Sequence, residues 1–201
     1  MVYLSHLINH IFINQPYDHD HTAKQAKPLF LQKTMTLISE QLLVELKRNG
    51  ADYFASVPCK LLGDLIDLLE HDSTITHVPA TREEEGLGLC AGAFLGGQTP
   101  VLVMQNTGVG TIVTSLFSLA LFYNLPITMI ISHRGTPGEK IGTQVPMSNA
   151  VKPLLDVVGI PYFPFNHHRD VKKVGRLVQH AQVAQRPVAA LLDFDFWRSE
   201  S

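Results

Sequence analysis

The chain has 201 residues, enough to bury the core of one ordinary domain and a tight fit for two. With 16 Lys and Arg against 18 Asp and Glu, its formal charge is -2, so no global field draws it to nucleic acid or an anionic membrane, and a small-molecule or protein partner is expected. Hydrophobic residues make up 45% and charged residues 17%, sparse polar covering that points to a buried subunit interface.

Residues 1–34 carry His6, His10, His19, His21 and the cluster Asp18-His19-Asp20-His21 without a sustained helical period. They read as a disordered extension whose His/Asp cluster is solvated and not metal-loaded. Met1 to Ile13 lacks a basic n-region and a small-residue cleavage site, so it does not read as a secretory signal. Met35 opens the regular pattern, and the domain is expected over 35–201.

Leu37, Leu42, Leu43 and Leu46 mark one face of a helix that stops at Asn49-Gly50. Tyr53 to Val57 reads as a strand ended by Pro58, and Leu61, Leu62, Leu65, Ile66, Leu68 and Leu69 stripe a second helix. Further strands are expected at Ile75–Pro79, Pro100–Gln105, Pro126–Ser132, Tyr162–Phe163 and Val188–Asp193. Helices are expected at Arg82–Leu95, Gly108–Tyr123, Asn149–Val158 and Arg169–Ala184. Apolar strands alternating with helices predict an α/β domain: a doubly wound, mostly parallel six-stranded sheet with helices on both faces. Ligands collect at the carboxyl ends of such strands, here the loops after Val57, Pro79, Gln105 and Ser132.

Cys59 and Cys90 lie apart with no CxxC spacing, which excludes a disulfide scaffold and a zinc site and fits a reducing cytoplasm. The apolar run Leu116–Leu121 is broken by Ser118 and is too short to cross a bilayer.

Four segments carry chemistry. Thr81-Arg82-Glu83-Glu84-Glu85-Gly86 sets three acids at a helix start, where they oppose the macrodipole. Gly86, Gly88, Ala91, Gly92 and Ala93 follow, a density of small residues that implies close approach by another backbone or a flat ligand. Gln105-Asn106-Thr107-Gly108-Val109-Gly110 sits at a strand-to-helix switch, but Val113 stands where a dinucleotide fingerprint needs glycine and no Walker lysine follows. Its polar side chains can line a pocket or an interface. His133 and Arg134 open a polar loop after the most buried strand; Arg134 offers a fork for a sulfonate, phosphonate or carboxylate, or caps carbonyls in a surface loop. Ser56-Val57-Pro58-Cys59-Lys60 places a hydroxyl and an ammonium at a helix start, either to hold an anion or to cap the helix, with Cys59 as a small buried filler.

Together, Thr-Arg-Glu-Glu-Glu-Gly at 81–86, the helix ending in Gly92-Ala93-Phe94 and the stretch from Gln105 to Gly135 resemble the pyrimidine-binding domain of thiamine-diphosphate decarboxylases. The alpha subunits of sulfopyruvate decarboxylases are the nearest match, with phosphonopyruvate decarboxylases close behind, and the resemblance runs from Met35 to the C-terminus. It implies that a glutamate of this helix bonds N1′ of the cofactor's aminopyrimidine and favours the tautomer that generates the ylid. Matching Arg82 and Gly86 gives that role to Glu84, in apolar surroundings; aligning on Gly92 gives it to Glu83. Gln105, Asn106, Thr107 and Gly108 would adjoin the cofactor, and Arg134, His133, Lys60 and Ser56 the substrate.

Members of the family hold Mg²⁺ and diphosphate with Gly-Asp-Gly and a downstream Asn, whereas Gly63-Asp64 here runs into Leu65 within a helical pattern. The resemblance therefore implies a split enzyme. This chain would supply no metal ligand, and a beta subunit would carry the diphosphate and Mg²⁺ in a hetero-oligomer. The implied reaction turns 3-sulfopyruvate into sulfoacetaldehyde and CO2 within coenzyme M synthesis in methanogens. A phosphonopyruvate or other 2-oxoacid decarboxylase alpha chain, a non-catalytic partner subunit and a nucleotide-binding domain using Gly108 and Gly110 are the alternatives.

Overall fold

A computed structural model describes residues 29–198. The first helix, α1, spans Leu29–Arg48. It buries Met35, Ile38, Leu42, Leu43 and Leu46, an i, i+3, i+7, i+11 stripe, while Leu37 is 49% exposed and lies off the face expected for it. Gly50 ends the helix at φ +92°, a left-handed turn that glycine takes without strain. Because α1 begins at Leu29, it crosses the boundary placed before Met35; the Asp18–His21 cluster lies outside the described residues.

The remaining elements follow in the expected alternation. They are β1 (Tyr53–Ser56), α2 (Gly63–His71), β2 (Thr76–Pro79), α3 (Glu83–Leu95), β3 (Pro100–Gln105), α4 (Thr107–Ser115), β4 (Thr128–Ser132), α5 (Gln144–Val158), β5 (Tyr162–Phe165), α6 (Val174–Ala184) and β6 (Val188–Leu192). Three details depart from the periodicity. The long helix expected to Tyr123 loosens into a π-helical stretch over Leu116–Leu121. The helix expected from Asn149 starts at Gln144, and the one expected from Arg169 opens as a 3-10 turn over His168–Lys173. That turn is closed by reciprocal bonds between His167 and Asp170, a capping box that shifts the α-helical start to Val174.

All strand pairings are parallel, in the order β2-β1-β3-β4-β6-β5. Alternate residues of each strand enter opposite cores, as the two-residue period of a strand requires. Phe54, Val101, Val103, Ile130 and Ala190 face α1, α2 and α6. Tyr53, Ala55, Leu102, Met104, Met129 and Ile131 face α3, α4 and α5. The sheet is thus covered on both sides, the expected doubly wound architecture. Gly86 suits this packing: a Cβ there would lie 2.7 Å from the Leu102 side chain, which would have to shift for α3 to settle onto β3. Among the described residues no helix is long and apolar enough to cross a membrane.

Candidate functional site

The chain leaves β1 for α2 on one face and β3 for α4 on the other, so the connections diverge above two neighbouring strands. A crevice opens at their carboxyl ends, as it does wherever a doubly wound sheet switches direction. Four expected site segments border it: the loops after β1, β2, β3 and β4.

On the β1 side, Ser56, Pro58, Cys59, Lys60, Ile66 and Pro79 line a cavity of about 410 Å³, with Asp67 and Glu70 of α2 on its far wall. Ser56 is buried, and its hydroxyl lies 2.8 Å from Nε2 of His77 on β2. Lys60 is exposed at the mouth. Cys59 is buried and ties this loop to the neighbouring strands, with Sγ 3.0 Å from the Ser132 hydroxyl and 3.7 Å from the Gln105 amide oxygen.

From Gln105 the site continues across α4 to α3. The Gln105 amide donates to Thr107 Oγ1 at 3.1 Å and to Gln144 Oε1 at 3.0 Å. Gly108 is bare because Glu83 lies against it: any Cβ there would overlap the Glu83 side chain. Thr111 closes that contact, its hydroxyl 3.5 Å from Glu83 Oε2. The three acids at the start of α3 thus have three fates. Glu83 packs on α4, while Glu85 turns back to accept from the Thr81 backbone N–H at 2.9 Å and hydroxyl at 2.8 Å, which holds its carboxyl below the usual range. Glu84 keeps one oxygen, Oε2, shielded from solvent with no hydrogen-bond partner, and the nearest cation, Arg82 Nε, stands 3.8 Å away. Shielded carboxylate oxygens are almost always paired, so an orphan of this kind marks a place where a donor is missing.

The loop after β4 is built around an ion pair. Arg134 is buried, and Glu139 grips it with two parallel bonds, Nε to Oε2 at 2.6 Å and Nη2 to Oε1 at 2.8 Å. Its guanidinium also lies 5.7 Å from the Phe194 ring centroid. Glu139 takes further bonds from the backbone N–H groups of Gly135, Lys140 and Ile141, and the Arg134 contact above all holds its pKa down at about 2. Arg134 is therefore tied to Glu139 through its Nε–Nη2 edge. His133 likewise turns inward to Ser148, 3.2 Å from its hydroxyl, and burial lowers its pKa so that it stays neutral. Asn106, buried at the head of α4, clamps the loop by donating to the Arg134 carbonyl at 2.9 Å and accepting from the Arg134 N–H at 3.3 Å. Gly135, at φ +84°, passes so close to the Gln144 backbone that no side chain fits there.

Ser56, Cys59 and Lys60 thus line one cavity, Gln105 bonds to Thr107 and lies 3.7 Å from Cys59, and Glu83 meets Gly108 and Thr111, while His133 and Arg134 are buried beside Ser148 and Glu139. Three residues escaped the sequence reading. Glu139 lies in the same loop as Arg134 with opposite charge, a signal that was present. His77 and Gln144 had none, because strand pairing and loop closure alone bring them to Ser56 and Gln105. Gly63-Asp64 forms the first turn of α2, with Asp64 accepting from the Thr36 hydroxyl at 2.9 Å. Among the described residues no three His, Cys, Asp or Glu side chains gather to hold a metal.

No family model matches the chain. A sulfopyruvate decarboxylase subunit alpha from Methanococcus maripaludis is 41% identical over 166 residues, 81% of this chain and 98% of that protein. The subunit of the same name from Methanothermobacter thermautotrophicus is 41% identical over 160 residues, 79% of this chain and 97% of that one. A phosphonopyruvate decarboxylase from Streptomyces viridochromogenes matches at 35% over 99 residues, 49% of this chain and 25% of its own length. Among solved structures, a 2-oxoglutarate:ferredoxin oxidoreductase from Magnetococcus marinus superposes with a TM-score of 0.63 at 15% identity, over 79% of this chain and 29% of its own, a likeness of fold alone. With identity this high along nearly the whole length of the methanogen relatives, the chain belongs to the family of sulfopyruvate decarboxylase alpha subunits and is an enzyme subunit.

Proposed function

We propose that this chain is the alpha half of a thiamine-diphosphate-dependent carboxy-lyase that converts 3-sulfopyruvate to sulfoacetaldehyde and CO2, the step coenzyme M biosynthesis requires. In this reading a beta subunit holds the cofactor's diphosphate and Mg²⁺, and the active site lies between the two chains.

The observation that carries the proposal is the orphaned Oε2 of Glu84. It fits a protonated ring nitrogen, which would supply the missing donor, and the Glu84 side chain, still 37% exposed, would be closed off by a docked partner. Glu84 would hold the proton at N1′ of the aminopyrimidine. Gln105, steadied by Thr107 and Gln144, and the bare backbone of Gly108 would form the adjoining wall, with Asn106 keeping the turn in shape. When bound, thiamine diphosphate supplies the nucleophilic carbon and the electron sink for loss of CO2.

The substrate's anionic tail belongs at Lys60 and Ser56, which line the cavity, while Glu139 holds the Nε–Nη2 edge of Arg134. His133 and Arg134 then brace the site from behind. In the net reaction the bond from the keto carbon to the carboxylate breaks, CO2 departs, and a proton takes its place on that carbon.

Partner docking is supported by the outer face of α3 and by the segment from Leu116 to Tyr123 that follows α4. Gly88 and Gly92 open onto empty space, and Leu95, Phe117, Phe122 and Tyr123 are exposed. Apolar side chains grouped in this way mark an interaction surface.

Glu84→Gln in the assembled two-chain enzyme is expected to lower kcat by about a thousandfold or more. Activity that survives the substitution would instead identify a non-catalytic partner subunit. The partial match to phosphonopyruvate decarboxylase favours a second substrate, and assaying sulfopyruvate and phosphonopyruvate side by side separates the two.

A further inference from the structure

The cavity lined by Ser56 and Lys60 has a neighbour that the site described above does not use. His77 of β2 is bonded to Ser56 of the cavity lining, and the charge of Glu70, which lines the same cavity from α2, acts on the imidazole. We propose that His77 and Glu70 select the substrate's tail by its charge, accepting one negative charge and refusing two. The proposal rests on the sulfopyruvate reading and names the residues that give it specificity.

The charge count supports this directly. Among the described residues lining the cavity, Lys60 is the one ammonium, and Asp67 and Glu70 are two carboxylates. Arg134, the other cation that the sequence places near the site, is neutralised by Glu139. Burial depresses the pKa of His77 against the opposing pull of Glu70, so the imidazole brings no second positive charge at neutral pH.

A neutral imidazole still orients the hydroxyl. In this proposal Nε2 of His77 carries the proton, so that it donates to the Ser56 oxygen 2.8 Å away and leaves the hydroxyl hydrogen free to point at a ligand. The wall therefore offers one ammonium and one hydroxyl donor, backed by two negative charges. A sulfonate carries a single charge at any physiological pH. A phosphonate, whose second ionisation resembles that of a phosphate monoester near pH about 6, brings close to two, and the second meets Glu70 and Asp67 without a cation.

The test uses the assembled two-chain enzyme with sulfopyruvate and phosphonopyruvate, comparing wild type, Glu70→Gln and Glu70→Lys. Glu70 is exposed, so both variants should fold. The ratio of kcat/KM for phosphonopyruvate to that for sulfopyruvate is expected to rise roughly tenfold in Glu70→Gln and again in Glu70→Lys, mainly through the KM for phosphonopyruvate. In wild type the same ratio should rise as pH falls below about 6 and the phosphonate loses its second charge. Inhibition constants for 3-sulfopropionate and 3-phosphonopropionate should move in parallel, reading the same selection without turnover. His77→Gln should raise the KM for sulfopyruvate several-fold with kcat unchanged; a fall in kcat alone overturns the positioning role. A substrate ratio that stays constant across the Glu70 series overturns the charge selection while leaving the decarboxylase reading intact. A wild-type enzyme that turns over neither substrate overturns both.

Discussion

The loops after β1 and β4 look alike in sequence, each placing a basic residue just past a buried strand, yet the fold puts their charges to opposite uses. Lys60 stands exposed at the mouth of a cavity, whereas Arg134 is buried and doubly bonded to Glu139. The difference is the nearest carboxylate. Beside Arg134 the loop folds back and delivers Glu139 to the Nε–Nη2 edge, so the ion pair becomes an internal strut; Lys60 instead lines a cavity that also carries the carboxylates of Asp67 and Glu70. A cation is available to a ligand only where the chain has not already supplied its counter-ion.

Breaking the strut should have the larger effect. Glu139→Ala leaves a buried guanidinium without its partner and should cost roughly 3–5 kcal/mol of stability, read as a fall in the thermal midpoint of about 10 °C. A variant that melts with wild type would show that Arg134 finds water instead, and the contrast between the loops would weaken. Lys60→Ala should do the converse. It is expected to change stability by less than about 0.5 kcal/mol while raising the KM for sulfopyruvate about tenfold. An unaltered KM would move the anion elsewhere.

Acid titration sharpens the same comparison with a smaller effect. The carboxyl of Glu139 titrates at about 2 in the folded chain, against about 4.3 for an unfolded glutamate. A lowered folded pKa means that its contribution is complete above the unfolded value and is lost as pH falls from about 4.3 towards 2. Stability measured by denaturant titration should decline through that window in wild type, and Glu139→Gln should lack this part of the decline.

Much of the site was legible because its elements carry local signals. Gly50 stops α1, Pro58 ends β1, and the acids of 83–85 announce the start of α3, each through backbone preferences that act over a few residues. The strand-end rule then placed the loop after β1 beside the ends of β3 and β4, and the Cys59 contacts to Gln105 and Ser132 show them meeting. What was not legible has one physical origin. Leu37 matched the helical period but sits just outside the stripe that α1 turns to the sheet, and the Glu139 partner of Arg134 follows from the closure of the loop and not from its composition. Periodicity and composition describe what a residue offers, not which partner reaches it.

By itself the sequence determined the alternation of strands and helices, the two-sided burial of the sheet and the four loops at its carboxyl edge, because hydrophobic period and turn chemistry act over short stretches of chain. Only the tertiary structure decided which charges survive as tools: that Glu83 packs on Gly108 while Glu84 keeps an unpaired oxygen, that Glu139 consumes Arg134, and that His77 stands behind Ser56. Those outcomes depend on distances between groups remote in sequence or brought together by a loop's own closure. Hydrogen bonds need donor and acceptor within about 3 Å, and Coulomb attraction between charges is screened beyond a Debye length of about 8–10 Å, so both are settled only once the chain has folded.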